Sequence, residues 1–464
     1  MTWPFTLSTL EHGAFVATGL LIYVVVTRIR RQHRYPSSAI AWVIGIAAAP
    51  YLVVPLFLIF GTRKVIRPVT SAHASFPVLP TGDAPDWAAR LLAGLNVVPA
   101  THNDTIAFHP DGLASYGALI DLIDGAREHV EVCTFILGGD TVGLEAGERL
   151  IAAVSRGVKV RLLIDAVGSV KTPKRMLCRL QTNGVDVRHF MPLLNNPIRG
   201  HTNLRNHRKL AIADGQRLWA GGRNLAVEYF LEKPQQPAWV DLSFEVEGHL
   251  AGNAQAQFEM DWRAAGGHII DHSSTEATTG LLQPGKGPLA QWIASGPDYA
   301  DDTVYSLLVS GFYHAQNSIL LVTPYFVPDA ALLDALCLAC RRGVQVNLVM
   351  PARSNHRLAD IVRERALRQL SAAGGKVHLA PSMVHAKAVV IDATMALCGS
   401  VNLDSRSLFL NYEVMTAFYG ATEVAWLTAW INQLSKQGSP YQAKQPSWYR
   451  DVVEGIVRTV GFQL

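Results

Sequence analysis

Two apolar runs open the chain, and each is followed by basic residues. The first, Gly13 to Thr27, stops at Arg28; the second, Ala39 to Gly61, stops just before Arg63. The second is 23 residues long, enough to cross a bilayer, with Pro50 and Pro55 predicting kinks. The first has 15 residues and crosses only by reaching back past Glu11 and His12 to Phe5. A secretory leader needs a basic amino-terminal region, and residues 1–12 contain no Lys or Arg. Residues 1–68 therefore predict a membrane-anchoring hydrophobic helical hairpin. The connector holds Arg28, Arg30, Arg31 and Arg34, and the exit holds Arg63, Lys64 and Arg67. Four against three does not orient it.

Beyond Pro68 the pattern changes. Val69 to Pro85 is rich in Pro, Ser, Thr and small residues, and residues 69–100 read as a linker. After the linker the same pattern occurs twice. An apolar strand (Val130 to Leu137) leads past Asp140 to a helix, then Arg156-Gly157-Val158 and the strand Val158 to Ile164. In the second copy Ile319 to Val322 leads past Asp329 to a helix, then Arg342-Gly343-Val344 and the strand Val344 to Met350. Strand, helix, turn glycine, strand is the unit of a sheet covered by helices, so the expected class is α/β. His272 to Pro288, rich in Ser, Thr, Gly and Pro, looks like the join. The halves are expected over 101–272 and 290–464, with 273–289 between them.

Composition narrows the class. At 464 residues the chain is too long for one ordinary domain. Glycine and proline, 37 and 24 positions, are too few for collagen-like or low-complexity sequence. The formal net charge of +4 is too mild to announce a nucleic-acid partner. Five cysteines imply no disulfide framework, and Cys337-x-x-Cys340 reads as one helix face, since no second pair completes a zinc site.

The chemistry lies further along each copy. The first contains His207-Arg208-Lys209, four residues, Asp214, six residues, then Gly221-Gly222-Arg223-Asn224. The second contains His385-Ala386-Lys387, four residues, Asp392, six residues, then Gly399-Ser400-Val401-Asn402. Asp241 stands seven residues before Gly248, and Glu413 seven before Gly420; the stretches between, Leu242 to Glu247 and Val414 to Tyr419, read as strands. His and Lys two apart share one strand face. Asp214 and Asp392, an odd number beyond, read as turn anchors more than reactants. The Gly-Gly and Gly-Ser pairs let backbone approach a ligand, and Asn224, Ser400 and Asn402 are candidate substrate-binding groups. Two such faces related by pseudo-two-fold symmetry suit a phosphodiester. Lysines and amides hold the phosphoryl oxygens, one imidazole attacks phosphorus, and the other protonates the leaving oxygen. Asp241 and Glu413 are placed to bond the far ring nitrogen of each histidine and fix its tautomer. The absence of metal-ligand spacing leads us to expect no metal and no cofactor.

This pattern resembles the HKD motif of the phospholipase D superfamily. Further stretches resemble its bacterial cardiolipin synthase branch: Ile40-Ala41-Trp42, Asn206 to Lys209, Gly221 to Asn224, Thr323-Pro324-Tyr325-Phe326-Val327-Pro328-Asp329, and Gly399 to Leu408 running into Asn411-Tyr412-Glu413. The likeness runs from the hydrophobic hairpin to about residue 435. It implies two pseudo-symmetric α-β-α sandwich halves and a catalytic set of His207, Lys209, Asp214, His385, Lys387 and Asp392. One histidine would become a covalent phosphatidyl-histidine, His207 for preference, and His385 would serve as acid and then base. The implied reaction moves a phosphatidyl group between two phosphatidylglycerol molecules in the bacterial inner membrane, giving cardiolipin and glycerol. Phe135 departs from the tyrosine expected in the first copy, and Gly138-Gly139 loosens the approach to Asp140.

Water as acceptor would make the same site a phospholipase D releasing phosphatidic acid. A nuclease on this fold would be soluble and markedly basic, and an inactive scaffold would have lost a motif member. The second lipid substrate and the oligomeric state are not readable. Arg199, His201, Arg205, Arg208 and Lys209 make the approach to the first motif basic, suited either to anionic headgroups or to an ordinary solvated loop. Trp448 to Val460 has helical apolar spacing and is expected to pack on the core, with the bilayer interface as the alternative.

Overall fold

The computed structural model describes residues 9–29, 36–61, 84–192, 203–234, 236–268, 287–299, 301–449 and 454–455. Several expectations lie outside these residues: the basic residues between 30 and 34 and between 63 and 67, residues 69–83 of the first linker and most of the second, Arg199 and His201, and most of the carboxyl-terminal helix. The rest of the first linker corrects the expectation of a loose stretch: it carries the helix Asp86–Gly94, whose Ala88 and Leu92 are buried in the outer core of the second half.

Three helices open the described chain: α1 (Thr9–Ile29), α2 (Pro36–Ala48) and α3 (Pro50–Phe60). Within α1 the window Leu10–Thr27 is long and apolar enough to cross a bilayer. The second apolar run corrects the expectation of a kinked span, because it reverses direction. Pro50 has no N–H to continue α2 and pushes Ala49 out of helical conformation, to φ −147° and ψ 68°. Helix α3 then folds back along α2. The rings of Trp42 and Phe57 meet at 5.3 Å, and a Cβ on Gly45 would sit 3.1 Å from Val53. Helix α2 has 13 residues, about 20 Å of rise and short of the hydrocarbon core. On α1, His12 Nε2 lies 3.3 Å from the Ala47 carbonyl at the reversal, and Tyr23 meets Phe57 at 5.1 Å. Thus α2 runs against α1 and α3 runs with it. Tyr23, Ile46 and Phe57 form the small core of this unit.

The rest is built on a repeated strand order. The first half contributes β1 (Thr101–His109), β2 (His129–Thr134), β3 (Lys159–Asp165), β4 (Asp186–Phe190), β5 (Leu210–Ala213), β6 (Arg217–Gly221) and β7 (Ser243–Gly248). The second contributes β8 (Leu289–Ser295), β9 (Ser318–Val322), β10 (Phe326–Val327), β11 (Gln345–Pro351), β12 (Lys376–Ala380), β13 (Ala388–Ile391), β14 (Met395–Gly399), β15 (Leu403–Asp404), β16 (Glu413–Phe418) and β17 (Ser439–Pro440). Strands run β4-β3-β2-β5-β6-β7-β1 in one half and β12-β11-β9-β13-β14-β16-β8 in the other, with β17 on the β12 edge. The halves join antiparallel at β1 and β8, through Thr101–Ala290 and His102–Leu289. This matches the α/β class and the two pseudo-symmetric halves.

The apolar strand runs explain the layering. Each half has an outer core between its sheet and the helices that cover it, and a third core between the halves takes residues from both. In that inner core Phe244 of β7 meets Phe418 of β16 at 5.2 Å. The dipeptide-spaced Cys337 and Cys340 lie together on the helix Ala330–Arg341 as free thiols.

Candidate active site

The two HxK segments lie immediately before β5 and β13, where the halves meet. Isolated parallel bridges pair Asn206 with Tyr412 and Val240 with Val384. The His207 N–H donates to the Tyr412 carbonyl (2.9 Å) and the His385 N–H to the Val240 carbonyl (2.7 Å). Each histidine is thereby fastened to the residue that precedes the other half's acid.

The side chains share this crossing. His385 Nδ1 lies 2.7 Å from Asp241 Oδ2, and His207 Nδ1 lies 2.9 Å from Glu413 Oε1. Both acids thus pair across the interface and not within their own copy. A carboxylate at Nδ1 holds the proton there and leaves Nε2 with its lone pair free. Lys209 and Lys387 each donate Nζ to the carbonyl of the histidine two residues before, and Lys387 Nζ lies 3.0 Å from His385 Nε2. Burial lowers the His207 imidazolium to about 4 and the His385 imidazolium to about 3, against the pull of the acids. Burial likewise lowers Lys209 to about 7 and Lys387 to about 8. Burial alone would raise Asp241, but His385, Lys387 and Arg223 bring it down to about 2. The site therefore holds two neutral imidazoles and two anions at neutral pH, beside two lysines that retain part of their charge.

Aromatic rings wall the histidines. Phe135 stands edge-on to His207 at 4.9 Å, Tyr229 to His385 at 5.0 Å, and Trp239 tilts over His385 at 5.6 Å. Lys209 Nζ sits 5.6 Å from the Phe135 ring centroid.

Asp214 and Asp392 stand away from the histidines. Each occupies the left-handed region, at φ 54° and 50°, in the turn after β5 or β13. The Asp214 carboxylate accepts the N–H groups of Arg127, Glu128 and His129. The Asp392 carboxylate accepts those of Gln316, Asn317 and Ser318. These are the turn anchors that their odd spacing predicts, and their geometry gives them no contact with a reacting group.

The candidate phosphate ligands fare differently. Ser400 Oγ donates to Glu413 Oε2 at 2.5 Å and accepts the Val414 N–H, so its hydroxyl serves the acid and is not free for substrate. Asn224 Oδ1 accepts the Ile136 N–H at 3.1 Å. Asn402 donates to Ser407 Oγ at 3.1 Å, while its Oδ1 is buried without a hydrogen-bond partner. The glycines of the first motif make room for the chain around Asp241 and Leu242. A Cβ on Gly221, at φ 147°, would meet the Leu242 carbonyl at 2.3 Å, and one on Gly222 would meet Asp241 Oδ1 at 2.1 Å.

Two arginines inside the motifs carry structural work that the motif comparison missed. Arg208, fully buried, donates Nε to the Glu413 carbonyl (3.0 Å) and pairs with Asp261 (2.5 and 2.7 Å). Arg223 donates Nη2 to the Asp241 carbonyl at 2.6 Å and Nε to the Tyr229 carbonyl at 3.0 Å. Each orienting acid thus has its backbone held by a guanidinium of the first copy. The signal was available: the second copy has Ala386 and Val401 at these positions, so a charge stands where its twin is apolar.

Comparison with known proteins agrees with this architecture. A family model described as a cardiolipin synthase, phospholipase D-like domain, matches residues 119–262 and 308–435. Cardiolipin synthase A of Pseudomonas aeruginosa (strain LESB58) is 32% identical over 401 residues, covering 82% of this chain and 81% of that protein. The major cardiolipin synthase ClsA of Bacillus subtilis (strain 168) is 30% identical over 482 residues, covering 98% of each. The crystal structure of phosphatidylserine synthase from Haemophilus influenzae Rd KW20 shares the fold, with a TM-score of 0.63 at 14% identity over 81% of this chain and all of that one. With both motif copies inside the matched segments and relatives similar over most of their lengths, the chain belongs to the cardiolipin synthase family of phospholipase D-like proteins.

Proposed function

We propose that this chain is a phosphatidyltransferase of the bacterial cytoplasmic membrane that joins two phosphatidylglycerol molecules into cardiolipin and releases glycerol. The observation that carries the reading is the pair of histidines, each with Nδ1 held by an acid of the opposite half and a buried lysine beside it. Two equivalent groups with opposite protonation duties suit a transfer that must first expel one alcohol and then admit another.

His207, the more exposed of the two at 12% of its side chain against 5%, attacks phosphorus through Nε2. The bond from phosphorus to the glycerol headgroup oxygen breaks, and His385 gives that oxygen its proton. A covalent phosphatidyl-histidine remains. The headgroup hydroxyl of a second phosphatidylglycerol loses its proton to His385 and attacks phosphorus, and His207 leaves as the neutral imidazole. Lys209 and Lys387 balance the phosphoryl oxygens. Burial disfavours the imidazolium that His385 must become, and an anionic phosphodiester arriving beside it offsets that cost, so proton uptake accompanies substrate entry.

The test is to incubate the purified protein in detergent with phosphatidylglycerol alone, with EDTA present, and identify the products by mass. Cardiolipin with free glycerol supports the transfer. Phosphatidic acid alone moves the assignment to hydrolysis by water.

A further inference from the structure

The loops that follow β3 and β11 are pseudo-symmetric equivalents, and both lie against the site. In the first, the Val167 and Gly168 N–H groups donate to Asp165 Oδ1, whose partner oxygen accepts the Asn206 N–H beside His207. Ser169 Oγ donates to the carbonyl of Phe135, the ring that stands over His207. In the second, Asn355 Oδ1 accepts the Tyr325 hydroxyl at 2.5 Å, and the His356 ring meets Tyr325 at 5.2 Å. The Tyr325 carbonyl accepts from Thr323 Oγ, which in turn accepts the Leu403 N–H beside Asn402.

Both segments carry exposed aliphatic side chains close to the site. Val170 is 70% exposed and Val167 37%; on the other side Leu358 is 49% exposed and Ile361 36%, both near the start of the helix Arg357–Ala372 that follows the second loop. Exposed cations flank each pair: Lys171, Lys174 and Arg175 in the first, Arg353 and Arg357 in the second. Between 166 and 175 there is no acid. In 352–361 the acid is Asp360, which accepts the Ser354 N–H and pairs with Arg363 at 2.9 Å. Aliphatic tips with exposed cations beside them, repeated after the pseudo-symmetric strands β3 and β11, match the chemistry of an anionic lipid interface.

We propose that residues 166–175 and 352–361 form a paired docking rim that seats the mouth of the site on an anionic phospholipid surface. The occupant is the bilayer itself, and charge complementarity with phosphatidylglycerol selects it over a protein partner. The proposal rests on the phosphatidyltransferase reading for its purpose, but its physical content does not need turnover.

The experiment uses the full chain in nanodiscs, with Cys178 and Cys340 replaced by serine. Val170→Cys, Leu358→Cys and, as a control, Ser155→Cys at the far end of the helix Thr141–Ser155 each carry one fluorophore. In discs of chain-brominated phosphatidylglycerol, the labels at 170 and 358 are expected to be quenched several-fold more than the label at 155. Equal quenching at all three positions, or none at 170 and 358, overturns the rim. Quenching without cardiolipin formation keeps the rim and overturns the transferase reading; cardiolipin formation without quenching does the reverse. In a second arm, Val170→Asp combined with Leu358→Asp is expected to raise KM for phosphatidylglycerol bilayers about tenfold and leave kcat on dispersed short-chain phosphatidylglycerol unchanged. An unchanged bilayer KM overturns the proposal.

Discussion

Asp241 and His385 stand 144 residues apart and in opposite halves, yet their side chains meet at 2.7 Å. His207 and Glu413 repeat the arrangement at 2.9 Å across 206 residues. Neither half holds a complete histidine–acid pair of its own, so the site exists only where the halves dock. The twinned bridges Asn206–Tyr412 and Val240–Val384 tie that docking to the same residues.

Crossed pairing predicts crossed phenotypes. Glu413→Gln is expected to impair formation of the covalent intermediate on His207. Asp241→Asn disables His385, which protonates the departing glycerol and then deprotonates the second alcohol, and is expected to slow both formation and departure of that intermediate. Each should cost about 10²–10⁴-fold in kcat. Samples quenched in neutral denaturant, since acid hydrolyses the phosphorus–nitrogen bond, and analysed by mass should show the intermediate lowered in Glu413→Gln and persisting longer in Asp241→Asn; a phosphatidyl group found on His385 would exclude His207 as the nucleophile.

His207→Ala and His385→Ala are each expected to abolish turnover without loss of fold, since both lie at the ends of strands whose ladders do not need the ring. Wild-type-like rates in either purified variant would end the two-histidine mechanism.

The lysines predict the alkaline limb of the pH profile. Burial holds Lys209 near 7 and Lys387 near 8. Each lysine loses its charge as pH rises through that value, so phosphodiester binding weakens and kcat/KM falls above neutrality. The nucleophilic imidazole, lowered to about 4, stays unprotonated well into the acid range. A kcat/KM flat from pH 7 to 10 would contradict both lysine roles.

Arg208 is a stability prediction. Arg208→Met removes the partner of buried Asp261 and the clamp on the Glu413 carbonyl, with an expected loss of about 3–5 kcal/mol. Thermal unfolding in detergent should show it, and Arg208→Lys should recover only part, lacking the fork that reaches both acceptors.

Much of this molecule was legible along the chain. The repeated βαβ pattern and the matched intervals after His207 and His385 located both halves and the residues that meet between them. The odd spacing of Asp214 and Asp392 already marked them as turn anchors. Intervals within one copy cannot show which half an acid faces, so the crossing of Asp241 and Glu413 was hidden. Ser400 illustrates the same limit: a hydroxyl in a glycine-rich tail reads as a ligand group until Glu413 is seen 2.5 Å away. Pro50 announced a break, but whether a break kinks or reverses depends on packing such as Trp42 on Phe57.

That reversal changes how the membrane segment is counted. With α1 as the crossing helix, the chain passes through the bilayer once and then dips and returns through α2 and α3. The end of α1, the start of α2 and the end of α3 share one side, so the arginines after α1 and the basic residues after α3 add up where a two-pass hairpin would set them against each other. Seven basic residues flanking that side and none in residues 1–12 predict an outward amino terminus and a cytoplasmic catalytic body. Single cysteines at Ser8 and Ser75, probed with an impermeant maleimide on intact spheroplasts, should label at 8 and stay silent at 75. An anchor of this parity leaves the globular halves on the side where they are synthesised, with no need to carry them across.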